Sequence, residues 1–334
     1  MVTTEHITVI GDGAWATVCA VMLCENGHRV RMWSPFAEVA ADIQARRENA
    51  KYLPGVSLPA NFEATADDAR AFDGATLVLH TTPTQFIRAV WGRLREHCPN
   101  HLPICSVSKG IENRTLLRPT QILLDVLGGR EGDVCALSGP SIAPEVAARL
   151  PATVAVAGEN SAMSHRVQSA ITRPYFRVYT NTDLIGTELA GATKNVIAIA
   201  AGILDGLRAG DNAKAALLTR GLVEITRLGL AMGAKAETFA GLAGMGDLVT
   251  TCISPLGRNR TLGEAIGRGM TLAEAQATIN GVVEGVATTA SVVELAQRAD
   301  VEMPLTQAAY DVLFNHRSPA ETIAGLMARP MKAE

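Results

Sequence analysis

The segment Gly11-Asp12-Gly13-Ala14-Trp15-Ala16 decides the fold of the N-terminal half of the chain. It follows an apolar run at 7–10 and opens a helical pattern, which predicts a strand, a tight turn and a helix. In this G-x-G-x-x-A pattern, Gly11 permits the turn, Gly13 lets a pyrophosphate approach the backbone, and Ala16 lets helix and strand pack closely. The N–H groups at the helix start then face the phosphates. The pattern is typical of a Rossmann-type dinucleotide-binding unit.

Short apolar runs alternate with helical patterns throughout this half. Strands are predicted at 7–10, 30–33, 76–80, 104–107, 134–137 and 153–156, with a further extended piece at 176–179. Strands that alternate with helices predict a parallel sheet covered on both faces. A glycine-rich turn in this setting is far more specific than the same turn alone. The alternative is an ordinary glycine-rich turn, or a binding fold that has lost its ligand.

The second half has a different character. From about Leu184, Ala-, Leu- and Ile-rich segments with helical periodicity continue through Leu326, and strand-like runs disappear. Breaks are predicted at 210–212, 241–246, 254–260 and 280–285. The sequence therefore predicts an α/β Rossmann-type domain with a parallel-sheet core over residues 1–184, followed by an all-α domain over residues 185–334. The boundary near 181–186 is predicted to be a direct passage from strand to helix.

Composition indicates a globular protein and excludes some partners. The chain has 334 residues, 48% hydrophobic and 19% charged, with a net charge of -3. No basic field is available for nucleic acid or anionic lipid, so any anion site must be local. The most apolar run, 189–204, contains Lys194 and falls short of the ~20 apolar residues that a membrane span needs. We expect no membrane span.

The cysteines and the N-terminus indicate a cytoplasmic protein. The six cysteines form no C-x-x-C motif and no Cys/His cluster with zinc spacing, so no metal site is expected. Most lie in apolar stretches, where a buried thiol acts as a small hydrophobe. The polar start of the chain predicts no signal peptide. Reduced thiols fit the cytoplasm.

The end of the second strand leaves the choice between NAD and NADP open. An NAD site often carries Asp or Glu there for the ribose hydroxyls, and an NADP site an Arg for the 2′-phosphate. This chain has Ser34-Pro35-Phe36, which is neither signature. Arg31, Arg46 and Arg47 are nearby in sequence, and we expect them to be solvated surface charges.

Two lysines are candidates for chemistry. Lys109 follows the strand at 104–107, and carboxyl ends of strands border the ligand crevice of such sheets; the alternative is a surface lysine. Lys194 is the only charge in the run 189–204, with small residues one turn away on either side. Such a lysine should face a cleft or a partner, and desolvation would lower its pKa towards neutral. The alternative is a snorkelling or salt-bridged structural lysine.

Two further segments suggest ligand contacts. Asp247 ends the glycine-rich segment 241–247, where the backbone can approach a ligand closely; the alternative is a cap of the following helix. Gly257-Arg258-Asn259-Arg260 is predicted to be a loop after Pro255 whose two guanidinium groups bind a phosphate. The alternative is a solvated turn with charges at a helix start. The seven histidines do not cluster and receive no role.

Taken together and in this order, the motifs resemble the bacterial NAD(P)H-dependent glycerol-3-phosphate dehydrogenase family. The resemblance covers nearly the whole chain, and the lysine in G-A-T-K-N-V-I-A-I with a later G-D-L and R-N-R is highly specific. The matching stretches are 11–17, 108–112, 137–145 (LSGPSIAPE), 176–179, 188–201 (ELAGATKNVIAIAA), 212–228, 241–252, 258–260, 282–285 and 302–306.

The resemblance implies a reaction and a set of roles. Hydride would pass between the nicotinamide and C2 of dihydroxyacetone phosphate, giving sn-glycerol 3-phosphate for glycerophospholipid synthesis, with Lys194 as the general acid and base. The resemblance also implies a C-terminal domain like that of 6-phosphogluconate dehydrogenase, a cytoplasmic location and a homodimer. The implied substrate contacts are Lys109, Gly139, Ser141, Lys194, Asp247, Gly257, Arg258 and Asn259. The implied cofactor contacts are Gly11, Gly13, Ala14, Trp15, Ala16, Lys109, Ala143, Arg258, Val282 and Glu284.

Four positions depart from the family pattern. Ala16 stands in place of the third glycine, which the packing of helix and strand tolerates. Ala14 stands where Ser is common, so the cofactor phosphate loses a hydroxyl partner. Gly257 stands where a serine contact to the substrate is common, and its backbone N–H would have to replace that contact. Pro35 occupies a position often held by Arg or His near the adenosine ribose. Two alternatives remain: a related two-domain reductase of hydroxy or keto acids, and a non-catalytic dinucleotide-binding protein.

Overall fold

The computed structural model describes residues 4–128 and 134–330, and the chain within it divides into two compact units. The first unit runs to Lys109 and resumes over 118–187, whereas the second comprises 110–117 and the chain from Glu188 onward. Sequence alone places the boundary at 184 and assigns 110–117 to the first domain. Inside the second unit, Ser291 Oγ lies 3.0 Å from the carbonyl oxygen of Ile111, which joins this short segment to a distant helix.

A single sheet forms the centre of the first unit. Its described strands are β1 His6–Ile10, β2 Arg29–Trp33, β3 Phe62–Thr65, β4 Leu77–His80, β5 Ile104–Ser106, β6 Val134–Ser138, β7 Ala152–Gly158 and β8 Phe176–Asn181, in the order β3-β2-β1-β4-β5-β6-β7-β8. The predicted Rossmann-type sheet is confirmed. Two details were missed: β3 has no predicted counterpart, and β7 runs antiparallel to β6, although the neighbouring pairs are parallel.

The helices of the first unit follow these strands. They are α1 Ala14–Glu25, α2 Ala37–Arg46, α3 Asp68–Phe72, α4 Ile87–Leu94, α5 Pro119–Leu127, α6 Ala143–Ala147 and α7 Ser161–Ile171, with a 3₁₀ turn at Thr84–Phe86. Because α1 packs against α6 and α7 as well as the sheet, most of its residues are buried. This tight seating fixes the start of α1, where the glycine turn ends.

The described residues of the second unit form helices and loops and no strand, in agreement with the predicted all-α domain. Its helices are α8 Leu184–Gly206, whose first turn belongs to the first unit, α9 Asp211–Ala231, α10 Ala236–Ala240, α11 Asp247–Ile253, α12 Arg258–Gly267, α13 Leu272–Ala277, α14 Glu284–Arg298, α15 Pro304–Phe314 and α16 Pro319–Met327. The break predicted at 241–246 separates α10 from α11, but Leu242–Gly246 forms a π-helical turn there that leads into α11. The break at 254–260 is shorter than predicted, because α12 begins at Arg258.

Helices α8 and α12 approach each other backbone to backbone. A Cβ atom added at Gly202 would lie 1.9 Å from the carbonyl oxygen of Arg260, and one added at Gly263 would lie 2.0 Å from that of Ile199. Only glycine fits such an approach. The contact holds the start of α12 beside α8. No helix among residues 4–128 and 134–330 has both the length and the apolarity to cross a membrane.

Candidate active site

The glycine turn of the first unit requires glycine at its first position. Gly11 has φ +120°, and its N–H donates to the carbonyl oxygen of Trp33 at 2.9 Å. An added Cβ would lie 2.4 Å from Thr81 Oγ1, so both conformation and space exclude a side chain. The turn is thereby held against the ends of β2 and β4, at the edge of the sheet where ligands bind in such folds.

The start of α1 fits a dinucleotide pyrophosphate. Gly13 is the N-cap of α1 and provides no side-chain cap, and a Cβ added there would meet nothing within 4 Å. The space beside Gly13 is thus open, and the first N–H groups of the helix, beginning at Ala14, are donors of the kind that bind a phosphate. Ala16 is buried, and the ring of Trp15 packs 5.9 Å from that of Phe176. These residues fit the cofactor that the sequence predicts.

Sequence reasoning missed two polar residues that hold this turn. Ser34 Oγ donates to Asp12 Oδ2 at 2.5 Å, and Asn49 Nδ2 donates to the Asp12 carbonyl oxygen at 2.7 Å and to Thr17 Oγ1 at 2.8 Å. Ser34 and Asn49 are both fully buried. The sequence shows at Ser34 only that the usual acidic residue or Arg is absent, and Asn49 belongs to no recognisable motif.

The prediction that Arg31 is a solvated surface charge is wrong. Arg31 is 7% exposed, pairs with Glu63 at 3.1 Å and donates to backbone carbonyls at the end of α3. Arg47 is also engaged, since its guanidinium donates to carbonyls around β3. Arg46 is exposed as expected and pairs with Asp42 at 2.5 Å.

Three predicted substrate contacts of the first unit lie together. Lys109 Nζ donates to the Gly139 carbonyl oxygen at 3.0 Å and lies 3.4 Å from Ser141 Oγ. They follow β5 and β6, which are adjacent and parallel, so their carboxyl ends meet at one edge. At Gly139, φ is +139° and an added Cβ would lie 2.9 Å from Val154 Cα, so glycine is required there too. Ala143 begins α6 just beyond this loop.

A buried ion pair forms the chemical centre of the second unit. Lys194 Nζ lies 2.6 Å from Asp247 Oδ1, and the two side chains are 8% and 3% exposed. This salt bridge fits both the predicted site lysine and the alternative of a salt-bridged structural lysine, and its partner is the other predicted site residue. Asp247 is the first residue of α11, but its carboxylate binds Lys194 and does not cap the helix. At this distance and burial, opposite charges attract each other strongly.

Cys252 lies on α11 within the field of this pair. Burial raises the pKa of its thiol to about 12, with Lys194 and Lys214 acting in the opposite direction. The thiol is therefore protonated at neutral pH and behaves as a small hydrophobe.

The predicted anion site lies on a helix. Gly257 is the N-cap of α12 and supplies no side chain, while Arg258, Asn259 and Arg260 form its first turn, so the predicted loop is wrong. Arg260 is not available for an anion, because it pairs with Asp205 at 2.6 Å and with Glu264 at 3.4 Å.

The other two side chains of this turn connect it to neighbouring helices. Arg258 Nη1 donates to the carbonyl oxygen of Val282 at 2.8 Å, and both residues are predicted cofactor contacts. A third predicted contact, Glu284, begins α14 two residues later. Asn259 Nδ2 donates to Asn195 Oδ1 at 2.9 Å, and its oxygen accepts from Gly285 N at 3.0 Å. Asn195 stands next to Lys194 in an otherwise apolar run, and sequence reasoning gives it no role.

Comparison with known proteins agrees with this arrangement. The family models described as the N-terminus and the C-terminus of NAD-dependent glycerol-3-phosphate dehydrogenase match residues 6–164 and 183–324. The chain is 48% identical over 331 residues to glycerol-3-phosphate dehydrogenase [NAD(P)+] of Geobacillus thermodenitrificans, covering 99% of this chain and 96% of that one. The corresponding protein of Citrifermentans bemidjiense is 47% identical, with 99% of each chain covered. The chain belongs to the glycerol-3-phosphate dehydrogenase family.

A solved structure from this family has the same fold. The crystal structure of glycerol-3-phosphate dehydrogenase from Coxiella burnetii superposes with a TM-score of 0.93 at 38% identity, covering 98% of this chain and 99% of that one. Members of the glycerol-3-phosphate dehydrogenase family use nicotinamide dinucleotides, in agreement with the glycine turn at Gly11 and the open space at Gly13. Within the described residues, no group of three or more His, Cys, Asp or Glu side chains is placed to hold a metal ion.

Proposed function

We propose that this protein reduces dihydroxyacetone phosphate reversibly to sn-glycerol 3-phosphate with NADH or NADPH. The observation that carries the proposal is the buried Lys194–Asp247 pair in a member of this family. A desolvated ammonium beside a carboxylate is suited to stabilise and protonate an oxygen that gains negative charge. The product would supply glycerophospholipid synthesis.

The first unit would bind the cofactor and contact the substrate. The turn from Gly11 to Ala16 offers the pyrophosphate an open helix start, and Trp15 and Ala143 are proposed as further cofactor contacts. Lys109, Gly139 and Ser141 are already within hydrogen-bond distance of one another, so a carbonyl or hydroxyl oxygen of the substrate can enter this network. Lys109 would serve both ligands.

The proton transfer would be the work of Lys194. When bound, the nicotinamide supplies the hydride to C2. Lys194 Nζ donates its proton to the oxygen on C2 as that oxygen becomes an alkoxide, and takes it back in the oxidation direction. Asp247 fixes the ammonium at 2.6 Å and balances its charge in the buried site. The ketone is thus reduced by one hydride and one proton, without a further reactant.

The substrate phosphate would bind at the start of α12. Arg258 brings a guanidinium and Asn259 an amide to the positive end of the helix. The Gly257 N–H donates to the Ser254 carbonyl oxygen at 3.3 Å and would have to exchange that bond for one to the phosphate. Arg258, Val282 and Glu284 are also proposed to contact the cofactor. A bound phosphate fixes the position of C2, which is how an enzyme orients a small substrate for transfer.

Initial rates with two ketones and two cofactors test the proposed function. We expect dihydroxyacetone phosphate to be reduced far faster than dihydroxyacetone, because only the phosphorylated ketone engages Arg258 and Asn259. Equal rates with the two ketones would remove the substrate assignment. Binding of both cofactors without any turnover would instead indicate a non-catalytic dinucleotide-binding protein.

Family membership also supports two further proposals. We propose that the protein acts in the cytoplasm as a homodimer, as the sequence resemblance implies. Light scattering coupled to size-exclusion chromatography measures the mass in solution. A mass of one 35.2 kDa chain across the working concentration range would refute the dimer.

A further inference from the structure

The end of β2 shows how this chain replaces the missing ribose-reading residue. In dinucleotide-binding sheets, an acidic residue at this point accepts hydrogen bonds from the ribose hydroxyls of NAD, and an Arg binds the 2′-phosphate of NADP. Here Ser34 follows β2, and its buried hydroxyl is occupied: it donates to Asp12 Oδ2 at 2.5 Å and accepts from Phe36 N at 3.2 Å. Ser34 therefore positions the carboxylate of Asp12 next to the end of β2.

Asp12 is fixed in both its backbone and its side chain. Asn49 holds its carbonyl oxygen, and Ser34 holds Oδ2. Asp12 is half-buried, and Oδ1 accepts no hydrogen bond from any residue in 4–128 or 134–330. A carboxylate oxygen is thus available at the place where an acidic residue on β2 would otherwise supply one.

Four arginines close to β2 are engaged elsewhere. Arg31 pairs with Glu63, Arg46 with Asp42, and Arg93 with Asp68 while stacking on Trp33, and Arg47 donates to the carbonyls of Phe62 and Pro59. A 2′-phosphate would have to compete for a guanidinium already bound by a carboxylate or by backbone carbonyls. Binding of NADP would therefore carry a cost that binding of NAD does not.

Lys51, which interacts with Asp12, does not make the end of β2 positive. Lys51 is exposed and lies 4.8 Å from the ring centre of Tyr52. The Tyr52 side chain, followed by Asp12 and Glu38, raises the pKa of Lys51, so its ammonium faces two carboxylates. One ammonium against two carboxylates leaves the ribose end of the turn negative.

We propose that Asp12, positioned by Ser34, accepts a hydrogen bond from the 2′-hydroxyl of the adenosine ribose and repels a 2′-phosphate, so that the protein prefers NAD(H) over NADP(H). This inference rests on the proposed function for its cofactor class and goes beyond it by naming the residue that discriminates. The carboxylate that usually stands at the end of β2 is supplied here from the middle position of G-x-G.

Calorimetric titration of the full-length protein with NAD⁺ and with NADP⁺ tests the proposal without any turnover. We expect NAD⁺ to bind at least about tenfold more tightly, the order expected for like charges close together near a protein surface. Raising the ionic strength should reduce this ratio, because salt screens the repulsion. Equal affinities, or tighter binding of NADP⁺, would overturn the proposal without any variant. If the wild-type protein preferred NADP⁺ and Lys51→Ala abolished that preference, Lys51 would be the residue that recognises the 2′-phosphate.

Two variants and a control locate the effect. Asp12→Asn keeps the shape and can still accept from Ser34, so it should lower the affinity ratio by about tenfold, mainly by improving NADP⁺ binding. Ser34→Ala should weaken NAD⁺ binding and so lower the ratio without reversing it, because the charge of Asp12 remains. Asp125→Asn removes a carboxylate of the same unit that pairs with exposed Arg88, and should change neither affinity. A ratio unchanged in Asp12→Asn would overturn the assignment.

Failure of this proposal and failure of the proposed function are distinguishable. A protein that binds NAD⁺ preferentially but does not reduce dihydroxyacetone phosphate would refute the function and leave the role of Asp12 intact. A protein that reduces this substrate equally well with both cofactors, and binds both equally, would keep the function and overturn the role of Asp12.

Discussion

At the scale of single residues, substitution of Lys194 should affect both the rate of the reaction and the stability of the protein, and the two effects can be measured separately. We expect Lys194→Ala to lower kcat by about 100-fold or more, the size of a lost general acid. Removing one partner also leaves a buried charge, at a cost of roughly 3–5 kcal/mol in stability. The binding of NADH, measured by fluorescence, shows whether the variant remains folded.

A rescue experiment identifies the role of Lys194 more directly. If its ammonium donates the proton, small primary amines added to Lys194→Ala should restore part of kcat in proportion to their concentration. A purely structural lysine would give no such dependence. A loss in kcat of less than tenfold in the folded variant would contradict the assigned role.

Arg258 and Arg268 form a matched pair on one helix. Arg258 lies in the first turn of α12, whereas Arg268 is its exposed C-cap residue and pairs with Glu264. Arg258→Ala should raise KM for dihydroxyacetone phosphate by about tenfold or more, since a charge-assisted bond to a phosphate contributes roughly 1.5–3 kcal/mol. Arg268→Ala should leave KM unchanged. An unchanged KM in Arg258→Ala would mean that the phosphate is bound elsewhere.

Single residues also show where sequence reasoning ends. Lys194 stands out because a charge in an apolar helix must find a partner, and Gly11 because its motif fixes a backbone shape. The partner itself, Asp247, is 53 residues away, and only packing shows that the two meet. Arg258 and Arg260 look equivalent in sequence, yet Asp205 on α8 engages only Arg260 among the two.

At the scale of elements, Glu224 connects α9 to the start of α15. Its carboxylate accepts from Leu305 N at 2.6 Å and from Thr306 N and Oγ1 at 3.1 Å, so it satisfies the open N–H groups of α15. Glu224→Gln offers only one acceptor oxygen to these donors. We expect it to lower the free energy of unfolding by about 1–3 kcal/mol, the cost of an unsatisfied buried donor.

The pH dependence of that loss has a definite sign. Burial raises the pKa of Glu224 in the folded protein, against the hydrogen bonds from Leu305 and Thr306. A group with a raised folded pKa contributes stability that is present below its unfolded pKa and is lost as pH rises through the folded value. Urea unfolding should therefore show a larger gap between wild type and Glu224→Gln at pH 4.5 than at pH 8. Exposed Glu294→Gln on α14 is the control, and a gap that widens with pH would contradict the assignment.

Helices and strands with a strong hydrophobic periodicity were predictable from the sequence, whereas those with a weak periodicity were not. β1 and α8 are continuous apolar segments whose pattern and length leave little choice. β3, Phe62–Thr65, has few apolar residues and forms because β2 offers it a parallel edge. The antiparallel direction of β7 is a property of pairing, which no local pattern of side chains records.

At the scale of the whole molecule, the reactivity of the buried cysteines measures local unfolding within each unit. All six are buried thiols; Cys252 lies in the second unit and the other five in the first. Burial raises the pKa of Cys24 and of Cys252 to about 12, and only the thiolate reacts. Labelling of the native protein should therefore be slow at every cysteine, whereas all six should react at once in denaturant.

Binding of the cofactor should divide these thiols into two groups. Most of the proposed cofactor contacts, including those to the pyrophosphate and the ribose, lie in the first unit, and three lie in the second. NAD⁺ at about 100 times its Kd should therefore slow opening of the first unit by roughly 100-fold and that of the second by less. Mass spectrometry of labelled peptides would then show strong protection of the five cysteines and weaker protection of Cys252. Equal protection of all six would mean that the units open as one cooperative body, because a ligand that binds one part of a cooperative structure stabilises the whole of it.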